Sequence, residues 1–284
     1  MSHGKAPSKL DDAELIRQAD LEIAGERLLV AARLLQQVQK KEDLLTEHHK
    51  VVIHKAQLVQ ETIDIHLQPP TKEEGWKKQT ESHGNRDTII DYKVEGSSKL
   101  TCRIETPIES SLLVPLLAVF NESDLYQSWM PQFRIPFKLG VRESKKLRDQ
   151  PGRGAQVVHV TVDMPFPVAD RDLVYETWAV DAIDELDLIS MKGVSLHSGA
   201  STEGLDVPPP LPGIKRIDFD AGFVIRLCPP DHPCLKNSKH KYPEDEHLLL
   251  LSLTQYVNAH VDYIPQSLIN FCTRTALRYV LSQD

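Results

Sequence analysis

From Leu10 to about Leu67 the apolar residues recur at the spacing of a helix, and Gly25 is the only glycine or proline in that stretch. Leu15, Ala19, Ile23, Leu28, Ala31, Leu35 and Val38 trace one stripe. Asp11 and Asp12 favour a helix start, because carboxylates there meet the unpaired amides and the positive end of the dipole. The stretch from Val51 to Leu67 repeats the character, and the charged KKEDLLTEHHK before it reads either as a bend or as a solvated face. Pro69 and Pro70 close the region, since proline lacks the amide and disfavours helix before it.

Beyond Pro70 the period drops to two. Ile90, Tyr92 and Val94 alternate with Asp91, Lys93 and Glu95, and Leu100, Cys102 and Ile104 with Thr101, Arg103 and Glu105. Two short helices are expected in SSLLVPLLAVF and NESDLYQSWM, the second capped by Asn121. Strand pattern returns at Val158–Val162, at Leu173–Ala179, over 217–227 and over 249–257. The Pro-rich stretches SGASTEGLDVPPPLPG and CPPDHPCLKNSKHKYPEDE read as mobile surface loops, and VRESKKLRDQPGRG as a basic hairpin tip. The chain ends in an amphipathic helix entered at Pro265, whose apolar stripe includes Leu268, Ile269 and Cys272 and must cover something.

This order predicts an α+β protein: a helical extension over residues 1–74, then one domain over 75–284 in which a bent antiparallel sheet grips its last helix. A sheet so bent is wider than one helix fills, and apolar cavities of that kind take ligands.

Composition narrows the function. With 33 basic and 41 acidic residues and a net charge of -8, the chain is a poor partner for nucleic acid. No run approaches the ~18 apolar residues of a membrane span, and the N-terminal stretch has neither a secretory core nor presequence character, so a cytoplasmic address is expected. Cys102, Cys228, Cys234 and Cys272 are then reduced packing residues. Cys228 and Cys234 flank His232, but no second ligand pair follows at zinc-type spacing, so no metal and no cofactor is expected. No nucleophile beside a base is visible, which predicts a binding protein and leaves a cavity enzyme as the alternative.

The stretch VVHVTVDMPFPVADRDLVYETW, residues 157–178, resembles the centre of START domains, the steroidogenic-acute-regulatory-related lipid-transfer family, with PFPVADRDLVY its most specific part. It is most similar to the phosphatidylcholine-transfer branch. IESSLLVPLLAVFNESDLYQSWMPQF resembles the family's helix pair ending at a tryptophan, and VDYIPQSLINFCTRTALRYVL its lid helix. The resemblance implies a helix-grip fold, one lipid in an internal pocket, no catalysis, and transient contact with membrane surfaces. Where the phosphatidylcholine branch has an arginine and an aspartate around the tryptophan, this chain has Tyr126 and Met130; where the sterol branch has an acid and an arginine, it has Ser128 and Thr177. Losing both members of each pair points to a head group that is uncharged or met by other groups.

The candidate ligand-binding residues are Arg103, Tyr126, Trp129, Met130, Val160, Tyr175, Thr177, Asn258 and Ile269. Arg103 reads either as an inward cation or as a surface residue, His159 and His260 as ligand donors or outward histidines, and Arg171 with Asp172 as a functional pair or, from their place at a strand entry, a structural salt bridge or turn. The N-terminal helices offer a surface for a protein partner or self-association, or else pack on their own domain.

Overall fold

A computed structural model describes residues 11–81, 88–95, 99–130, 132–134, 138–150, 155–202, 204–235 and 247–261. Ile269 and the predicted last helix lie outside these residues.

Four helices come first: α1 (Asp12–Ala24), α2 (Leu28–Gln37), the single turn α3 (Lys41–Leu44) and α4 (Glu47–Leu67). Asp11 caps α1, its carboxylate accepting from the Glu14 amide at 2.8 Å. Thr46 and His49 form a reciprocal capping box on α4. The stripe that reads as one helix is broken after Ala24, where Glu26 takes a left-handed φ of 63°. The chain folds back, so Leu15 and Ala19 of α1 pack against Ala31, Leu35 and Val38, the two halves of one sequence stripe burying each other.

Next come β1 (Lys77–Glu81), β2 (Ile89–Glu95), β3 (Lys99–Glu109), α5 (Leu113–Asn121), α6 (Tyr126–Trp129) and β4 (Gln132–Phe133). Asn121 ends α5 instead of capping the following helix, which opens through a 3-10 turn at Ser123–Leu125. The sheet continues with β5 (Leu139–Gln150), β6 (Ala155–Asp163), β7 (Arg171–Ala182), the turn α7 (Ile183–Leu186) and β8 (Leu188–Ser195). The short β9 (Ser201–Thr202), β10 (Leu205–Asp206) and β11 (Lys215–Arg216) precede the long β12 (Asp218–Leu227) and β13 (Leu248–Asn258).

The main sheet runs β1-β2-β3-β13-β12-β8-β7-β6-β5-β4. Its neighbours are antiparallel, and β11 adds to β7 in parallel. β13, late in sequence, is the seam between the N-terminal strands and the β5–β12 run, pairing Leu253 with Ile104 on one side and Phe223 on the other.

Two parts of this sheet depart from the expectation. The basic stretch is no hairpin tip up to Gln150; it is the body of β5, hidden from a period-two reading by register shifts between Val141 and Glu143 and between Lys146 and Arg148. The first Pro-rich loop is partly packed: Val207 is buried against Val157 and Val174.

α4 lies across one face of the sheet. Its Ala56, Val59 and Ile63, with Leu29 and Ala32 of α2, bury against Ala155, Trp178, Val180, Leu188 and Val224. Each fully buried Val or Ile contributes on the order of 1.5–3 kcal/mol. Lys55 reinforces the contact, its ammonium 2.7 Å from Glu176 and over the Trp178 ring at 5.3 Å.

Candidate functional site

Side chains alternate between faces along a strand, so the α4 contacts sort the whole sheet. Trp178, Val180, Leu188 and Val224 face α4; Tyr175, Thr177, Met191 and Phe223 therefore face the other way. On this inner face Val158 and Val160 of β6, Leu173 and Tyr175 of β7 and Val141 of β5 form one cluster, with Tyr126, Met130 and Phe219 packed against it.

The short helices attach here by aromatic contact. Phe120 of α5 stacks on Phe223 with centroids 4.9 Å apart, and Tyr175 tilts against Phe219 at 5.4 Å. Tyr126 meets Trp129 edge to face at 5.3 Å. Polar groups in this wall bond one another. The Tyr175 hydroxyl donates to that of Tyr126 at 3.1 Å, and Tyr126 donates to the Phe120 carbonyl. Burial raises both tyrosines above the usual phenol range, Tyr175 well above it. Ser123 donates to Gln156, and Thr177 to the Lys192 carbonyl, at 2.8 and 2.9 Å. The exception is Trp129, whose buried Nε1 has no hydrogen-bond partner.

Toward β13 and β3 the inner face changes character. Ile104, Met191, Leu251, Leu253 and Val257 are apolar and only half-buried, interrupted on the same face by the buried Thr106 and the exposed Gln255, whereas Ser190, Leu250 and Ser252 on the α4 side are buried. An apolar surface closed at one end by an aromatic wall can hold a nonpolar molecule.

The predicted site residues divide between the faces. Tyr126, Trp129, Met130, Val160, Tyr175 and Thr177 gather on or beside the inner face. Arg103 does not: it lies on the α4 side and is no inward cation. Its guanidinium donates to the carbonyls of Ile65, His66 and Gln68 at 2.8, 3.1 and 2.7 Å and pairs with Glu105 at 2.7 Å. It thus caps the unsatisfied carbonyl end of α4 with a cation, where the dipole favours one. Asn258 shares the face of Ser252 and bonds Asp218 and the His260 amide, at 3.0 and 3.2 Å.

Arg171 and Asp172 serve separate anchors: Arg171 donates to the Ala259 carbonyl at 2.7 Å, and Asp172 accepts from Arg216 and lies 3.1 Å from His159. Sequence reading missed Phe120, Phe219 and Phe223 as wall residues. The strand parity of Phe219 and Phe223 with Ala221 and Ile225 was the available signal, but which parity faced inward was set only by α4.

No protein-family model and no curated protein matches this sequence. Among solved structures, the human StAR-related lipid transfer protein 5 superposes with a TM-score of 0.51 at 15% identity, covering 80% of this chain and 92% of that one. The fold is the START fold. A STAR-related lipid transfer protein from Xanthomonas axonopodis aligns at 20% identity over 73% of this chain and 94% of its own, with a TM-score of 0.46.

Proposed function

We propose that this protein binds a single lipid against the inner face of its sheet and carries it between membranes or reports its presence, without catalysis. The observation that carries this reading is the run of half-buried apolar residues from Met191 through Leu253 to Ile104, ending at the wall around Trp129. Removing acyl or ring surface from water onto such a face is worth about 25 cal/mol per Å2. Apart from Trp129 Nε1, the polar groups described in the wall bond protein partners, which favours holding a ligand over reacting with it. The unpartnered Trp129 Nε1 is a donor that suits a carbonyl, ester or hydroxyl oxygen of a head group.

The human structure it resembles is named a lipid transfer protein. Val114 on α5 and Phe166 in the β6–β7 loop are 73% and 96% exposed, and such apolar tips support transient contact with a membrane. No described helix is long and apolar enough to cross one. In this reading residues 75–284 form the lipid-binding unit of a cytoplasmic protein, and residues 1–74 a helical extension that braces it and presents the outward side of α1 and α4 to a partner or a second copy. Native mass spectrometry after incubation with mixed-lipid liposomes tests the proposal. One bound lipid mass per chain is expected; persistent absence of any lipid adduct on folded protein overturns it.

A further inference from the structure

At the far end of the α4 side, the loop after β12 brings together three side chains that the lipid reading leaves unused. The Sγ atoms of Cys228 and Cys234 and a ring nitrogen of His232 lie within 4.8 Å of one another. We propose that Cys228, His232 and Cys234 bind a zinc ion, a site separate from the inner face of the sheet.

The donor set is the soft one zinc prefers. A tetrahedral zinc with ~2.3 Å bonds to sulfur and ~2.0–2.1 Å to nitrogen holds its ligands about 3.5–3.8 Å apart, so the widest separation closes by at most about 1.3 Å and the 3.0 Å between His232 Nδ1 and Cys234 Sγ opens by about 0.5 Å. Both cysteines are thiols. On binding, each gives its proton to solvent, and two thiolates balance the dication, leaving no net charge in a place where Cys234 is 1% exposed. Three protein ligands leave a fourth position for water.

The imidazole is oriented for the task. Its Nδ1 faces Cys234 at 3.0 Å, while its Nε2 faces the Glu105 carboxylate at 3.7 Å. The Cys234 amide donates to Nδ1, which leaves Nδ1 the lone-pair nitrogen turned toward the thiols, and the Glu105 carboxylate on the Nε2 side, too distant for a direct hydrogen bond, adds a favourable charge of the kind that supports metal-bound histidines. The Cys234 amide, 3.4 Å from Nδ1, is the competing donor that a metal would displace. Glu105 is itself held by Arg103 and by Ser252 at 3.2 Å, so its orientation is built into the core.

The backbone is prepared as well. Pro229, Pro230 and Pro233 separate the ligands, the His232 amide donates to the Pro229 carbonyl at 3.0 Å, and the Leu235 amide donates to the His232 carbonyl at 2.9 Å. A loop so restricted loses little further freedom on binding. The spacing C-x3-H-x-C is too short for two separate ligand pairs, which is why the sequence alone reads as a loop.

The experiment is a titration of the full-length protein, with all four thiols confirmed reduced under anaerobic conditions, using cobalt(II) alone as probe. One equivalent should produce a thiolate-to-cobalt charge-transfer band with tetrahedral visible bands, bleached by an equivalent of zinc. The double variant C228S/C234S, which keeps Cys102 and Cys272 and should retain the wild-type circular dichroism, should lose the charge-transfer band, and H232A should weaken and shift the visible bands. Absence of the band in reduced wild-type protein, or its persistence in the double variant, overturns the proposal.

Discussion

Gly222 of β12 lies directly beneath Thr62 of α4: a Cβ on the glycine would stand 2.4 Å from Thr62 Cγ2 and 2.9 Å from its hydroxyl. The helix approaches the sheet at the one position where β12 has no side chain, and the His66 ring reaches the Gly222 carbonyl at 3.2 Å one turn further on. Replacing Gly222 with Ala should push α4 off the sheet and destabilise the protein by about 1–3 kcal/mol, the usual cost of overpacking. Denaturant midpoints measure it. Adding Thr62→Ala should recover part of the loss, and a double variant no more stable than G222A alone would show that the contact is not the cause.

His66 makes stability sensitive to acid. Burial, and next the positive Arg103, holds its imidazole down to about 4 from an ordinary 6.5. The unfolded chain therefore binds the extra proton first. The stability this neutral histidine contributes is fully present above about pH 6.5 and drains away as the pH falls toward 4, by up to on the order of 3 kcal/mol. His66→Gln should flatten the stability profile across that window; an unchanged slope counts against the assignment.

Arg103 is a structural cation. Arg103→Met leaves Glu105 buried without its charge partner and uncaps α4, and should cost about 3–5 kcal/mol. Because the guanidinium lies on the α4 side, the lipid masses seen by native mass spectrometry on the folded variant should match those of wild type. A changed lipid profile would return Arg103 to the binding site.

Leu253 tests the inner face directly. It is half-buried, so Leu253→Asp should fold, yet it sets a carboxylate among apolar residues where an acyl chain is proposed to lie. Lipid occupancy should drop by at least about tenfold, a difference of about 1.4 kcal/mol. Equal occupancy in fluorescent-lipid titrations of variant and wild type would move the ligand elsewhere.

Much of the architecture is legible in the chain. The period-two runs of β2, β3, β6, β7, β12 and β13 announce themselves because one face of each is apolar. β5 escaped because it is rich in charge and two register shifts break its alternation, and β8 because its α4-facing positions include Ser190 and Lys192, polar residues buried by partners outside the strand. The turn at Glu26 carries no strong signal, since an apolar stripe looks the same whether it runs on or folds back on itself.

Local periodicity thus determined by itself that this is an α+β protein with helices before a large sheet, and that Tyr175, Thr177 and Val160 point to the same side as their strand neighbours two residues away. Which side is the inner one was decided only in three dimensions, because alternation is symmetric until a second element covers one face. α4 makes that choice: by seating Thr62 on Gly222 and placing its last carbonyls on Arg103, it claims one side of the sheet for the core. The opposite side, with Tyr126, Trp129 and Leu253, is the one where the lipid is proposed to lie. The placement of Cys228, His232 and Cys234 beside Glu105 is likewise a product of tertiary structure, since that carboxylate comes from a strand more than a hundred residues earlier.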